Sequence, residues 1–119
     1  MNPEKTYTSL LTTDLAAAER WYGQLFGRAP DYRPMPTLLH WELSENGGLM
    51  LSSSEEIASR GSIFLYVPDL AAERRRLEDA GILLGSDIAG DYSTLAQVRD
   101  PDDNLITLAS PPSAPFPSA

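Results

Sequence analysis

The sequence predicts an α+β fold made of two βαβββ modules in a single domain. The segment Thr13-Asp14-Leu15-Ala16-Ala17 opens one stretch of helix-forming residues, and Pro68-Asp69-Leu70-Ala71-Ala72 opens another 55 residues later. Each segment follows a short run of strand-forming residues and precedes roughly a dozen helix-forming residues that end at a glycine. A unit that occurs twice in 119 residues indicates a pseudo-symmetric domain with a cleft between its halves.

The first module is expected to cover about residues 6 to 58. Thr13 or Asp14 can cap its helix, because a short side-chain oxygen accepts a free backbone N–H of the first turn, and Gly27 ends the helix. Three prolines between residues 30 and 36 make the next segment irregular, so two or three antiparallel strands complete the module. The expected strands are Tyr7–Thr12, Leu38–Leu43 and Leu49–Ser52, with a hairpin turn at Asn46-Gly47-Gly48.

The second module, residues 61 to 110, repeats this order. Asp69 is expected to cap its helix, Leu70 and Leu77 to mark the buried face, and Gly81 to end it. Ile82–Leu84 is a candidate short strand before a loop over residues 85 to 91. The remaining expected elements are the strands Ser62–Val67, Ser93–Val98 and Leu105–Ala109 and the turn Asp100–Asn104.

The domain is expected to end near residue 110, before a Pro-rich flexible tail over residues 111 to 119. No apolar run approaches the roughly 20 residues that span a bilayer, and the N-terminus lacks the apolar segment of a signal peptide. The chain has no cysteine and therefore no disulfide or thiolate chemistry. These features favour a cytoplasmic location.

The net charge of −8 argues against nucleic acid as a partner, because phosphate binding needs clustered Lys and Arg. An acidic chain attracts cationic ligands, although acidity also serves solubility alone. Arg74-Arg75-Arg76 alternates with acidic residues and is typical of a solvated helix face. The acidic residues of Asp100–Asn104 fit a turn better than a calcium loop.

Alternation along each predicted strand separates a face that packs on the helices from a face that lines the cleft. In Ser62–Val67, aliphatic residues alternate with Phe64 and Tyr66. Aromatic rings and carboxylates suit a flat or cationic ligand, and Asp87 can add negative charge. The predicted ligand-binding residues are Tyr7, Ser9, His40, Glu42, Met50, Ser62, Phe64, Tyr66, Tyr92 and Thr107.

The repeated module order and the run Arg99-Asp100-Pro101-Asp102-Asp103-Asn104-Leu105-Ile106 resemble the vicinal oxygen chelate superfamily. This superfamily includes glyoxalase I, extradiol dioxygenases, fosfomycin-resistance enzymes and bleomycin-resistance proteins. The resemblance runs from about Tyr7 to Ala109, and its most specific motif is an Asp-Pro-Asp-Gly-Asn turn in which Asp103 here replaces Gly. Asp tolerates a left-handed backbone better than most residues. The resemblance implies a cup-shaped mixed sheet and a homodimer.

The resemblance also implies four metal-ligand positions, which here are Tyr7, Met50, Ser62 and Thr107. Divalent metals need several imidazole or carboxylate ligands, which these residues do not supply. We therefore expect no metal, no other cofactor and no catalytic residue of the family's kind, while the question of whether the chain is an enzyme stays open. His40 can act as a base beside Glu42, but a lone histidine is more often structural. A Ser–His–Asp arrangement with Ser9 or Ser62 lacks a nucleophile elbow.

The predicted function is metal-independent binding of a small cationic or aromatic molecule, as in bleomycin-resistance proteins, which sequester a drug and give antibiotic resistance. The alternative is a glyoxalase-like lyase or isomerase with a non-standard active site. A third interpretation, suggested only by the tail, is a partner-binding accessory module. The expected partners are a small-molecule ligand and a second copy of the chain, with no nucleic acid and no membrane.

Overall fold

The computed structural model describes residues 1–55 and 60–118, and it forms the predicted α+β fold of two βαβββ modules. It contains two compact units, Met1–Gly61 with Asp100–Asn104, and Ser62–Arg99 with Leu105–Ala119. The predicted end of the first module near residue 58 and the last tail residue, Ala119, lie outside the described residues. Within the described ranges, no helix combines the length and hydropathy needed to cross a membrane.

The first unit contains one four-stranded mixed sheet and one helix. The strands lie in the order β1-β4-β3-β2, with β1 parallel to β4 and the other neighbours antiparallel. Its elements are β1 (Thr6–Thr12), α1 (Leu15–Phe26), β2 (Tyr32–Met35), β3 (Leu38–Ser44) and β4 (Gly47–Ser53).

The predicted caps of α1 are confirmed. The Asp14 side chain accepts from the backbone N–H of Ala17 at 3.0 Å, and Gly27 ends the helix in the left-handed region at φ 72°. The buried face of α1 places the ring of Tyr22 6.1 Å from that of Trp41 in β3. The helix therefore covers the sheet face that carries Leu39, Trp41, Leu49 and Leu51, all at most 1% exposed.

Of the two or three antiparallel strands predicted after α1, three are formed, because Tyr32–Met35 of the irregular Pro-rich segment forms β2 and pairs antiparallel with β3. β2 is one of the two edge strands of its sheet, where Pro34 is tolerated because, among the described strands, no second neighbour needs its missing N–H. The register shifts between Tyr32 and Met35.

The hairpin between β3 and β4 depends on two glycines that no other residue can replace without moving backbone. A Cβ on Gly47 would lie 1.6 Å from the carbonyl oxygen of Thr6, and one on Gly48 would lie 1.9 Å from that of Trp41. Glu42 pairs with Gly48, and the next pair joins Ser44 to Gly47. Two residues of β3 are therefore passed for one residue of β4. This β-bulge lies directly after Glu42.

The second unit has the same topology, with strand order β5-β8-β7-β6 and β5 parallel to β8. Asp69 caps its helix by accepting from the N–H of Ala72 at 3.0 Å, and Leu70 and Leu77 are buried, as predicted. Its elements are β5 (Ser62–Tyr66), α2 (Leu70–Asp79), β6 (Ile88–Ala89), β7 (Thr94–Arg99) and β8 (Leu105–Ala109).

Three details of the second unit differ from the expectations. The cap residue of α2 is Ala80, with Gly81 following it at φ 85°. The candidate strand Ile82–Leu84 forms no strand, although Ile82 and Leu84 are buried, so their burial produced a strand-like pattern without a pairing partner. The predicted loop contains the two-residue strand Ile88–Ala89, which pairs with β7.

The predicted turn Asp100–Asn104 is formed and belongs to the first unit. One carboxylate oxygen of Asp100 accepts from the backbone N–H groups of Asp102 and Asn104, at 2.9 and 2.8 Å. The other accepts from the Asn104 side chain at 2.8 Å and from the Tyr22 hydroxyl at 2.5 Å. Asp103 adopts the left-handed conformation at φ 70°, as its position in the motif predicts.

Candidate functional site

The sheet face of the first unit opposite α1 carries five of the predicted binding residues. Ser9 and His40 both lie beside Met50 in register, and Tyr7 and Glu42 both lie beside Gly48. Because Gly48 has no side chain, the space between Tyr7 and Glu42 is open and the two side chains can meet across β4. The predicted residues brought together here are Tyr7, Ser9, His40, Glu42 and Met50.

Tyr7 and Glu42 form the polar centre of this face. The Tyr7 hydroxyl donates to the Glu42 carboxylate, 2.8 Å from Oε1 and 3.0 Å from Oε2. The hydrogen bond to Glu42, followed by desolvation and the Glu42 charge, raises the pKa of Tyr7, while nearby Lys5 opposes the shift. The Lys5 ammonium lies 3.8 Å from Oε2, and 21% of the Glu42 side chain remains exposed. The carboxylate is therefore held in place and still accessible.

The backbone of Glu42 is fixed by two residues that the sequence analysis did not single out. The Asp31 carboxylate accepts from the Glu42 N–H at 2.7 Å, and Arg28 donates to the Glu42 carbonyl oxygen. Arg28 also pairs with Asp31 at 3.1 Å. Both residues lie before β2, a strand for which the Pro-rich segment indicated no bounds, so no local sequence signal pointed to them. Together with the adjacent β-bulge, this pair orients Glu42.

His40 lies beside Tyr7, with ring centroids 5.4 Å apart and planes tilted by 35°. Its Nε2 atom is buried and has no hydrogen-bond partner among the described residues. A buried polar atom without a partner costs roughly 1 to 3 kcal/mol, so such atoms call for an explanation, which a functional role can provide. The histidine thus adds an aromatic face and an unsatisfied nitrogen to the cluster.

In the second unit, β5 presents Ser62, Phe64 and Tyr66 on one face. The rings of Phe64 and Tyr66 contact each other edge to face at 5.1 Å, and each residue is 52% exposed. Thr107 of β8 lies beside Phe64 in register but is 5% exposed, and its hydroxyl accepts from the Gln97 side chain at 3.1 Å. The aromatic pair is therefore accessible, whereas Thr107 is already engaged.

Tyr92 contacts the C-terminal tail. Its ring lies 4.9 Å from that of Phe116, and its carbonyl oxygen accepts from the N–H of Ser113 at 2.8 Å. Residues 111–118 form no helix or strand, yet the tail is attached at these two points. Tyr92 therefore packs against the tail.

Asp87 and Arg74 are partners of each other, which corrects two interpretations of the sequence. The Arg74 guanidinium lies 2.6 Å from an Asp87 carboxylate oxygen and also donates to the carbonyl oxygens of Leu84 and Gly85. Arg74 therefore anchors the loop after α2 and is not simply part of a solvated helix face. The Asp87 charge is neutralised by this contact and adds little to a binding site.

The four positions at which the family resemblance implies metal ligands do not fit a divalent ion. Their side chains offer a phenol, a thioether and two hydroxyls, and two of them are engaged, Tyr7 with Glu42 and Thr107 with Gln97. Across residues 1–55 and 60–118, no three His, Cys, Asp or Glu side chains are grouped to hold a metal ion. The donor chemistry therefore disagrees with the family's metal centre.

No protein-family model matches the chain, and no curated protein matches it in sequence. Several solved structures, in contrast, are similar to the chain in fold. A glyoxalase/bleomycin resistance protein from Catenulispora acidiphila has a TM-score of 0.82 at 25% identity, covering 91% of this chain and 98% of that one. A lactoylglutathione lyase from Agrobacterium tumefaciens has a TM-score of 0.74 at 21% identity, covering 88% of this chain and 91% of that one.

A bleomycin resistance determinant encoded on the transposon Tn5 has a TM-score of 0.73 at 21% identity, covering 90% of this chain and 97% of that one. These likenesses extend over nearly the whole length of each chain. They confirm the fold and the resemblance predicted from the module order and the turn motif.

Proposed function

We propose that this chain, which has the glyoxalase/bleomycin-resistance fold of the vicinal oxygen chelate superfamily, binds a small aromatic cation without a metal ion. The observation that carries the proposal is the Glu42 carboxylate, held by the Tyr7 hydroxyl on an accessible sheet face. An ordered carboxylate loses less conformational entropy than a mobile one when it binds a cation, because its rotamer freedom is already lost.

The groups around Glu42 suit the same ligand. Tyr7 and His40 offer aromatic faces next to the carboxylate, and Met50 lies beside His40 as an adaptable apolar contact. Ser9 adds a hydroxyl at the adjacent position of β1. The net charge of −8 favours the approach of a cation from solution.

The second unit contributes a separate surface to the proposal. The exposed Phe64 and Tyr66 rings are suited to stack on a flat apolar group, with Ser62 beside them on the same face of β5. Thr107 and Tyr92 stay in the proposed set with smaller roles, since each already has an intramolecular contact.

A sequestration role and a homodimeric assembly belong to the same proposal. They are supported by the likeness to structures named for bleomycin resistance, while the Tn5 determinant's identity of 21% limits that likeness to the fold. Sedimentation equilibrium of the purified chain tests the assembly, with twice the mass of 13.0 kDa expected. A monomer at all concentrations would remove the homodimer.

The binding experiment uses bleomycin and a matched pair of small probes. Benzamidinium is a planar aromatic cation with N–H donors, and benzamide is its neutral counterpart of nearly the same shape. We expect bleomycin to shift the NMR signals of residues on the sheet face around Glu42, and benzamidinium to bind more tightly than benzamide. Glu42→Gln should weaken benzamidinium about tenfold, the effect of losing one charge-assisted hydrogen bond.

The control for this variant is Glu78→Gln, which removes the same charge at an exposed position of α2. Its affinity for benzamidinium should equal that of the parent. Equal binding of benzamidinium and benzamide, or an equal loss in both variants, would contradict a specific cation site at Glu42.

A lyase or isomerase remains the alternative function, favoured by the unsatisfied Nε2 of His40 next to Tyr7 and Glu42. This cluster combines groups that can take up and release protons. Elemental analysis of purified protein together with a glyoxalase turnover assay separates the two functions. Turnover that is lost in His40→Gln would favour the enzyme over sequestration.

A further inference from the structure

We propose that Lys5 is a built-in competitor for the cation position at Glu42 and thereby sets the affinity and specificity of the site. This inference rests on the proposed function, because it names which group the incoming cation replaces. It assigns a specificity-determining role to a residue outside the predicted binding set.

Within residues 1–55 and 60–118, two groups contact the Glu42 carboxylate, and they differ in how firmly they are held. The Tyr7 hydroxyl lies 2.8 and 3.0 Å from the two oxygens and comes from β1, which is hydrogen-bonded into the sheet. The Lys5 ammonium is 3.8 Å from one oxygen, and its side chain is 51% exposed. Lys5 precedes the first residue of β1 and lies in no helix or strand.

The energies favour displacement of Lys5 and retention of Tyr7. An exposed ion pair of this length is worth roughly 0.2 to 1 kcal/mol, because water and salt screen it and the long side chain loses rotamer freedom. A short hydrogen bond to a carboxylate is worth roughly 1.5 to 3 kcal/mol. A ligand cation that offers directed N–H groups can therefore replace the ammonium while the Tyr7 hydroxyl stays in place.

Lys5 also filters ligands by charge. With Lys5 in position, the Glu42 region carries a compensated charge, so a weak or diffuse cation gains little by entering. The site therefore selects a cation that binds the carboxylate more tightly than the flexible Lys5 ammonium does. A planar guanidinium or amidinium meets this condition, because its paired N–H groups match the two carboxylate oxygens.

The test measures benzamidinium and benzamide binding by NMR titration in the 119-residue chain and three variants. Lys5→Gln should tighten benzamidinium binding roughly two- to fivefold, which corresponds to the loss of one exposed ion pair. Its affinity should also fall more steeply with added salt than that of the parent, because the carboxylate charge is no longer compensated. Benzamide binding should not change.

Two controls separate competition at Glu42 from a change in net charge. Lys5→Arg keeps the net charge but places a guanidinium, the better partner for the carboxylate, beside Glu42, and should bind benzamidinium more weakly than the parent. Arg20→Gln makes the same change in net charge on an exposed position of α1, the helix that covers the opposite sheet face, and should also match the parent.

The outcomes distinguish the two proposals. Unchanged benzamidinium affinity and salt dependence in Lys5→Gln, with benzamidinium still preferred over benzamide, would overturn the role of Lys5 alone. An equal gain in Arg20→Gln would do the same, because it would trace the effect to net charge. No preference for benzamidinium in any variant would overturn the cation site itself, and the role of Lys5 with it.

Discussion

The hydroxyl of Tyr22 lies 2.5 Å from a carboxylate oxygen of Asp100, 78 positions later in the chain. Tyr22 is fully buried in the face of α1, and Asp100 begins the turn of the family motif. The contact joins a helix and a turn within the first unit, and the same carboxylate organises the turn by accepting from Asn104. The motif therefore stabilises the fold of this chain and is not part of the proposed site.

This contact predicts a specific loss of stability at alkaline pH. Burial, followed by the hydrogen bond to Asp100 and the nearby acidic charges, raises the pKa of Tyr22 far above its ordinary value of 10.0. Because the folded pKa is raised, the stabilisation is fully present below about pH 10 and is lost as pH rises toward the folded pKa. Above about pH 10, unfolded Tyr22 releases its proton while folded Tyr22 retains it.

Tyr22→Phe should lower the free energy of unfolding by about 1 to 3 kcal/mol at pH 7, since a buried carboxylate oxygen loses a donor. The difference between parent and variant should shrink as pH rises above about 10. Urea unfolding followed by tryptophan fluorescence at several pH values measures both effects. A difference that stays constant across this range would contradict the raised pKa of Tyr22.

We expect two substitutions of Asp103 to differ in their effect on the free energy of unfolding. Its backbone has φ 70°, a region that glycine adopts freely and β-branched residues avoid. Asp103→Gly, which restores the family motif, should leave the free energy of unfolding within about 0.5 kcal/mol of the parent, whereas Asp103→Val should lower it by about 1 to 2 kcal/mol. Thermal and urea unfolding measure the pair, and equal stability of the two variants would rule out a strained backbone here.

We expect the Glu42 carboxylate to control the pKa of Tyr7. The carboxylate raises the pKa of Tyr7 above 10.0 through its hydrogen bond and its charge. Glu42→Gln should lower this pKa toward the ordinary value, because the amide carries no charge and accepts a weaker bond. Ultraviolet absorbance of tyrosinate, taken as the difference between each protein and its Tyr7→Phe counterpart, isolates the signal. An unchanged Tyr7 titration would show that the hydrogen bond does not persist in solution.

We expect removal of the Asp31 carboxylate to open the backbone locally at the Glu42 amide. Its carboxylate accepts from the Glu42 N–H at 2.7 Å, so Asp31→Ala should speed hydrogen exchange of that amide about tenfold. Asp31→Asn keeps an acceptor and should give an intermediate rate. The Leu49 amide on β4 serves as the internal control, and a general rise in exchange at both positions would indicate global destabilisation.

Local chemistry determined much of the fold in advance. The caps at Asp14, Asp69 and Gly27 need only a short side-chain oxygen or a left-handed backbone, and both are properties of neighbouring residues. Strand alternation correctly separated Leu39 and Trp41, which are buried, from the face that carries His40 and Glu42. These predictions succeeded because each depends on geometry within a few residues.

Register and long-range pairing decided the rest. The Tyr7–Glu42 bond requires β1 and β3 to flank Gly48 of β4, and no local pattern specifies that alignment. The edge strand β2, the role of Asp31 and the approach of Lys5 likewise depend on contacts between segments distant in sequence. The amino-acid pattern by itself determined which residues share a face, and only the tertiary structure decided which of them touch, since that depends on how neighbouring strands align.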